Sequence, residues 1–134
     1  MAIYGAFDIS GSGLQAQRVR MDAISANLAN RNTPGFQVKT VEFAPGDPAT
    51  GNPLGVHVAA IEADPNAAFI ETATTFGSSA DLADGTKDGI ARMPDYSDVR
   101  AMADGIEALR AYQANIQAID TTRSMIDSAI RVLA

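Results

Sequence analysis

Both ends of this chain carry apolar residues at seven-residue intervals, and this feature limits its folds more than any other. At the front, Phe7, Leu14 and Met21 are spaced in this way. At the back, two such rows run almost to the last residue. Apolar residues at this spacing line one face of a helix that packs against another helix. The pattern predicts a mainly α fold with a small β part, in which long N- and C-terminal helices pair as a coiled coil.

The rows also identify candidate contact residues. By pattern alone, a helical hairpin within one chain is a commoner outcome than a filament, so both remain open at this point. Arg123 interrupts one of the back rows, where it either reaches a carboxylate with its long side chain or marks a contact between subunits. We expect the assembly interface to contain Phe7, Met21, Met102, Leu109, Ile116, Ile119, Ile126, Ile130 and Leu133.

Charge is unevenly distributed along the chain. The formal net charge is −6, yet residues 1–31 and 97–134 together contain seven arginines and seven acidic residues. The whole excess therefore lies in residues 32–96, with nine acidic residues against three basic ones. Neutral helices can pack against copies of themselves without long-range repulsion, whereas an acidic segment disfavours nucleic acids and anionic membranes.

The middle of the chain shows short strands and turns. Thr33-Pro34-Gly35 ends the first helical pattern, and Pro-Gly suits the central positions of a type II turn. Strand patterns follow at 36–43, with a phase shift typical of a bulge, at 54–58 and at 67–72. We expect 1–31 and 97–134 to form one coiled-coil core domain. Residues 32–96 would form a small β and loop region, flexible at 77–89.

Sequence motifs at the two ends resemble those of a known family. The front motif runs from Ser12 through Ala26-Asn27-Leu28-Ala29-Asn30 to Phe36, and the back motif begins at Arg110-Ala111-Tyr112-Gln113-Ala114-Asn115. Together they resemble the terminal motifs of flagellar basal-body rod and hook proteins, and a length of 134 residues is similar to the short proximal rod members. The matching positions are Leu14, Gln17, Asp22, Ile24, Asn27, Leu28, Asn30, Asn32, Thr33, Arg110, Tyr112 and Asn115.

The resemblance implies a structural subunit that polymerises into the proximal rod and transmits torque from motor to hook. Its partners would be copies of itself, other rod proteins and the flagellar type III export apparatus, with no nucleic acid and no membrane span. The subunit would lie in the periplasmic rod of the basal body, exported without a cleaved signal peptide. Consistent with this, the first residues lack a basic start followed by an apolar stretch, and no run reaches about 18 apolar residues.

Other functional classes have weaker support in the sequence. We predict no catalytic, cofactor-binding or metal site: His57 has no histidine or cysteine partner, and the spacing of Asp81, Asp84 and Asp88 does not match an EF-hand loop. A cell-wall lytic enzyme would need paired carboxylates in a cleft. The main alternative is a helical-hairpin adaptor that binds another helical protein and never polymerises.

Overall fold

In sequence order, a long helix comes first, four short strands follow, and a second long helix comes last. The structure, a computed structural model, describes residues 2–46, 54–64, 67–73 and 90–133. The predicted flexible segment at 77–89 lies outside them. The elements are α1 (Ala2–Ala29), β1 (Lys39–Pro45), β2 (Val56–Ala63), β3 (Phe69–Ala73), β4 (Ile90–Pro94) and α2 (Asp98–Leu133). The predicted mainly α fold with a small β part is confirmed, and the structure shows that the strands pair in antiparallel directions.

The helices pack side by side in antiparallel directions. Arg31, just past α1, pairs with Asp98, Arg20 pairs with Glu107, and Gly13 lies against Asn115. A residue of α1 therefore lies opposite the α2 residue whose number is about 128 minus its own. With 28 and 36 residues, the helices are about 42 and 54 Å long.

Helix α1 contacts both of the other parts of the fold that lie against it, α2 and the β1–β2 sheet. The two contact faces adjoin, since Gly13 lies against α2 and Ser12 bonds to β2. Among the elements that the structure describes, α2 contacts α1 alone. Among the described residues, the buried aliphatic side chains are Ala16, Val38, Ala101 and Ala108, and Pro94 is buried as well. The described part of the chain therefore buries few large side chains, and most of the surface of α2 faces away from it.

The first sheet is antiparallel and contains a bulge. Val41 pairs with Ile61 and Phe43 with Val58, and the register shifts between Glu42 and Phe43. The extra residue is Ala59 on β2, whereas the sequence pattern indicated a bulge in the strand 36–43. The strand begins at Lys39, because residues 33–36 form the turn. The irregular spacing of the apolar residues across 36–43 therefore reflects a turn followed by a strand.

The predicted type II turn is confirmed. The backbone N–H of Phe36 donates to the carbonyl of Thr33 at 3.2 Å, and Gly35 has a φ of 73°. A type II turn requires such a positive φ at its third residue, which glycine adopts without steric strain. The N–H of Gly35 also donates to the carbonyl of Arg92 at 3.0 Å, so the turn joins the second sheet to the end of α1.

The second sheet pairs β3 with β4. Phe69 lies opposite Pro94 and Ile70 opposite Met93, and the guanidinium carbon of Arg92 lies 5.3 Å from the centre of the Phe69 ring. Strand β3 corresponds to the pattern at 67–72. Strand β4 has no sequence prediction, because five residues ending in proline carry no clear alternation and proline argues against a strand. Residues 90–94 form a strand because they pair with β3.

Candidate assembly surfaces

The contact between the helices is built from small side chains on α2. Ala101 and Ala108 are 1% and 0% exposed. A Cβ on Gly105 would be 4.0 Å from a methyl carbon of Ile24, so this glycine also lies against α1. These three residues follow one another at intervals of three and four along one face of the helix. Small residues let two helix backbones approach closely, so this line of residues determines which face of α2 meets α1.

Further along the same face the helices approach closely at Gly13. A Cβ at this position would lie 2.8 Å from Nδ2 of Asn115 and 3.3 Å from its Cγ. The half-buried Asn115 side chain therefore occupies the space that a glycine leaves open.

Two ion pairs join α2 to α1 and the turn that follows it. Arg20 lies 3.7 Å from a carboxylate oxygen of Glu107, and Arg31 pairs with Asp98. The Glu107 side chain is 70% exposed, and exposed pairs of this kind stabilise a fold by about 1 kcal/mol or less. Apolar packing and the close approach of the small residues therefore hold the helices together, while the ion pairs help to set the antiparallel register.

The two apolar rows of α2 lie on different faces. Tyr112, Ile119 and Ile126 are half-buried on the α1 side. Met102, Leu109 and Ile116 are 60%, 46% and 39% exposed, and Ile130 and Arg123 of the same row are exposed as well. Ala101, Gly105 and Ala108 pack closely against α1. Because they occupy that face of α2, the row of Met102, Leu109 and Ile116 faces outward. Of the expected interface residues on α2, Ile119 and Ile126 are therefore partly covered within one chain. The exposed ones are Met102, Leu109, Ile116 and Ile130.

The outward row belongs to a wider apolar surface, which we call the outer stripe. Its members lie three or four residues apart over the first half of α2, except for one gap at Gln113, and so share one face of the helix. Beyond it the corresponding positions are the charged Asp120, Arg123 and Asp127. The outer stripe consists of Val99, Met102, Ile106, Leu109 and Ile116.

The last turns of α2, residues 125–132, which we call the terminal turns, also carry exposed apolar side chains. These lie on two sides of the helix: Ile130 continues the row of Met102 and Leu109, and Met125 and Val132 share another side. By the antiparallel register, α1 as described from Ala2 reaches about residue 126 of α2. Met125, Ile130 and Val132 are 65%, 59% and 86% exposed. The terminal turns therefore extend past the described part of α1 with large apolar side chains in contact with solvent.

Asn27 joins the helical layer to the first sheet. Its side chain is 3% exposed, donates from Nδ2 to the carbonyl of Lys39 at 2.8 Å, and accepts at Oδ1 from the Lys39 N–H at 2.9 Å. The amide thus binds both backbone groups of the first residue of β1, as a neighbouring strand would. Both polar ends of a buried side chain are satisfied, so its burial needs no water.

Ser12 makes a second connection between α1 and this sheet. Its Oγ donates to the carbonyl of Ile9 at 2.8 Å and accepts from the backbone N–H of Val56 at 3.1 Å. Gly55 has a φ of 107°, and a Cβ there would lie 2.2 Å from this Oγ. Only glycine fits at position 55. Sequence reasoning missed this contact, because Gly11-Ser12-Gly13 and Gly55 are separated by more than 40 residues.

The remaining motif and interface positions are distributed over both helices and the turn. Asn30 donates to the carbonyl of Ala26 at 2.9 Å and accepts from the hydroxyl of Thr33 at 3.3 Å, which closes the end of α1. Asp22, Asn32 and Arg110 are exposed. The Leu133 side chain lies outside the described residues. Half-buried positions are Phe7, Leu14, Gln17, Met21, Ile24, Leu28, Tyr112 and Asn115.

One cleft in the described part of the chain combines positive and negative side chains. It lies between α1, β1 and the start of α2, has a volume of about 690 Å³ and is lined by cations and acids alike, among them Arg20, Lys39, Asp95 and Asp104. Among residues 2–46, 54–64, 67–73 and 90–133, no three histidine, aspartate or glutamate side chains converge as metal ligands would. No described helix has the length and apolarity to cross a membrane.

Comparison with known proteins gives matches at both helices and over the whole chain. Residues 7–37 match the family described as flagella basal body rod protein, and residues 99–132 match the flagellar basal body rod FlgEFG protein C-terminal family. The chain is 31% identical to the flagellar basal-body rod protein FlgC of Borreliella burgdorferi over 99% of each protein. It is 35% identical to FlgC of Salmonella typhimurium and 36% identical to FlgC of Escherichia coli, over 94% of each protein in both cases.

Proposed function

Because this chain belongs to the flagellar basal-body rod protein family, we propose that it polymerises into the proximal rod and passes torque along it from motor to hook. The chain is similar to its relatives over nearly its full length, so the likeness covers the strands between the helices as well. A structural subunit of the rod needs surfaces that stay uncovered in a single chain and are covered on assembly. The exposed apolar surface of α2 is the observation that carries the mechanism.

Assembly would bury the apolar side chains of α2 that are exposed in a single chain. Burial of apolar surface contributes about 25 cal/mol per Å², and the outer stripe and terminal turns present eight large apolar side chains. Contacts of this kind stiffen a polymer, because helices packed along their length resist bending and twisting. We propose that α1 and α2 form the core domain of the subunit and that residues 32–96 form its smaller outer part.

The family-motif residues would have two roles in this mechanism. Asn27, Asn30 and Thr33 fix how the chain leaves α1, through hydrogen bonds to nearby backbone and side-chain groups. Tyr112 and Asn115 would set the distance between the helices, since Asn115 fills the space beside Gly13. We propose that the expected interface residues from Phe7 to Leu133 are covered in the rod, either by the partner helix or by a neighbouring subunit.

Export and location follow from the same proposal. We propose that the subunit passes through the flagellar type III export apparatus without a cleaved signal peptide, joins other rod proteins in the periplasm and catalyses no reaction. The absence of cysteine is compatible with passage as an extended chain, because no disulfide must form or break.

Deletion of the gene, followed by complementation, tests the proposal. We expect non-motile cells whose purified basal bodies lack the rod, and recovery of both when the full chain is restored. In the complemented cells the chain should be present in purified basal bodies at a fixed ratio to other rod proteins. Normal swimming of the deletion strain, or a chain that remains in the soluble fraction bound to a single partner, would favour the adaptor instead.

A further inference from the structure

We propose that the outer edge of β1, the edge that faces away from β2, binds an extended and positively charged segment of a different protein, which adds to the first sheet as a third strand. The site belongs to the strands and not to the helical surfaces through which the chain would assemble. The inference therefore goes beyond the proposed function and does not depend on polymerisation.

The hydrogen bonds of Lys39 show which way the backbone groups of β1 point. Its N–H and its carbonyl both bond to the Asn27 side chain, whereas the carbonyl of the preceding residue accepts from the chain just after β2. In an antiparallel ladder, successive residues alternate between bonding to the partner strand and pointing away from it. Val41 and Phe43 follow Lys39 at steps of two, and the extra residue of the bulge is on β2. Their N–H and carbonyl groups therefore point away from β2, as those of Lys39 do.

The outer edge of β1 is open over a short length. At its start the Asn27 amide takes the place of a neighbouring strand, and at its end Pro45 has no N–H to donate. Among the described residues, no hydrogen bond reaches the outward groups of Val41 or Phe43. An open edge of this kind binds an extended peptide through main-chain hydrogen bonds. The length between Lys39 and Pro45 suits an added strand of about four residues.

The cleft of about 690 Å³ runs along this open edge. Val41 and Phe43 line it together with residues of α1 and of the start of α2, and no residue of β2 is among its lining. The cleft therefore lies on the outer side of β1, where an added strand would be. Tyr96, just before α2, lines it as well. An added strand would thus lie between β1 and the start of α2.

Charge determines which segment fits the cleft. Three cations and three acids line it, but Arg20 is paired with Glu107, whereas Asp95 and Asp104 make no ion pair among the described residues. Residues 32–96 contain nine acidic residues against three basic ones. A surface of this kind attracts a positively charged segment and repels the acidic strand region of a second copy. The occupant is therefore a segment of a different protein.

Two model peptides test the site on the full chain in solution. Lysine and valine alternate over six residues in the first, and glutamate replaces each lysine in the second. Nuclear magnetic resonance of the isotope-labelled chain follows its backbone amides. We expect the lysine peptide to shift the signals of Val41 and Phe43 and to slow the exchange of these two amide hydrogens by about tenfold or more. The glutamate peptide should bind more weakly by about tenfold or more.

Two proline variants identify the edge. Val41→Pro removes an N–H with which the described chain makes no hydrogen bond, and an edge strand tolerates proline where its missing N–H faces solvent. Val58→Pro is the matched control: Val58 is also a half-buried valine, and it points to the opposite edge, two residues after the bond of Val56 to Ser12. We expect the lysine peptide to bind Val41→Pro more weakly by about tenfold or more, and Val58→Pro as well as the unmodified chain.

Equal binding of the lysine peptide to all three chains would overturn the proposal. The exchange measurement needs no variant, so it decides the question even if a proline variant does not fold. Unchanged amide exchange at Val41 and Phe43 with the lysine peptide present would also overturn the proposal.

A photoreactive benzoylphenylalanine in place of Tyr96 identifies the natural occupant in basal bodies of complemented deletion cells. We expect an adduct on a positively charged segment of a different protein, which is lost when Val41→Pro is added and kept with Val58→Pro. No adduct, or an adduct on a second copy or on an acidic segment, would overturn the proposal. If the unmodified chain were missing from basal bodies, the proposed function would fail, and the peptide measurements would still decide whether the edge of β1 is a binding site.

Discussion

Asn27 is the residue that most directly couples the helices to the strands. A buried amide that binds both backbone groups of Lys39 fixes the direction in which the chain leaves the helical layer. Asparagine fits because its side chain offers a donor and an acceptor at adjacent atoms. Aspartate would lose the donor and bury a charge, and leucine would leave both Lys39 groups without the amide.

Replacing this amide should therefore weaken the fold. We predict that Asn27→Ala lowers the free energy of unfolding by about 1 to 3 kcal/mol, because it removes two hydrogen bonds in a site closed to water. Urea unfolding followed by circular dichroism measures the change. Asn32→Ala, at an exposed position of the same turn region, is the matched control and should stay within about 0.5 kcal/mol. Equal effects of the two variants would contradict this role of Asn27.

Two glycines of α1 should respond differently to alanine. An added Cβ on Gly11 meets nothing within 4 Å, so Gly11→Ala should raise the free energy of unfolding by about 0.5 to 1 kcal/mol. At Gly13 the Cβ would be 2.8 Å from Asn115, so Gly13→Ala should gain less or lose stability. The unfolding midpoints of the two variants, measured side by side, check this. Equal stabilisation by both would mean that the helices are not in close contact at Gly13.

At the scale of elements, α2 has three parts with different surroundings. The line of small residues faces α1, the outer stripe faces away from it, and the terminal turns extend past the described start of α1. A helix with apolar residues around much of its circumference is suited to several helical neighbours. Helix α1 is correspondingly covered by two neighbours, α2 and the first sheet.

A larger side chain at Ala101, Gly105 or Ala108 should push the two helices apart. Ala108 is 0% exposed, and we predict that Ala108→Leu lowers the free energy of unfolding by about 1 to 3 kcal/mol, because α1 leaves no room for three more carbons. Ala114→Leu makes the same change at an exposed position of the same helix and should be close to neutral. Thermal unfolding of the two variants gives the comparison, and a neutral Ala108→Leu would refute the close approach.

At the scale of the whole molecule, folding and assembly use different parts of α2. The side of the helix that meets α1 is covered within one chain, whereas the outer stripe is exposed until a neighbour arrives. A substitution in the outer stripe can therefore impair assembly while the single chain still folds. The division also explains why so few large side chains are buried among the described residues.

Two variants should separate these properties. Met102→Glu places a charge on the outer stripe, so we predict unchanged unfolding of the isolated chain, within about 0.5 kcal/mol, but loss of rod assembly and swimming. Ile119→Ala removes a half-buried contact with α1 and should lower the free energy of unfolding by about 1 to 2 kcal/mol, less than at a fully buried site, and impair swimming as well. Soft-agar motility and urea unfolding measure both. Normal motility of Met102→Glu would exclude the outer stripe from assembly.

The sequence by itself determined the elements whose causes are local. Seven-residue spacing predicted the long helices at both ends, and Pro34-Gly35 predicted the type II turn. The motifs at the two ends indicated the family, since they depend only on the order of residues. The weaker strand β4 escaped prediction, because its pairing with β3 and not its own pattern makes it a strand.

Only the tertiary structure decided which faces meet. The two rows of α2 look equivalent in sequence, and the close packing of Ala101, Gly105 and Ala108 against α1 turns one row toward α1 and the other away. Likewise the sequence cannot distinguish Gly11 from Gly13. These outcomes depend on contacts between residues far apart in the chain, and a periodic pattern states that a helix has an apolar face without stating which partner covers it.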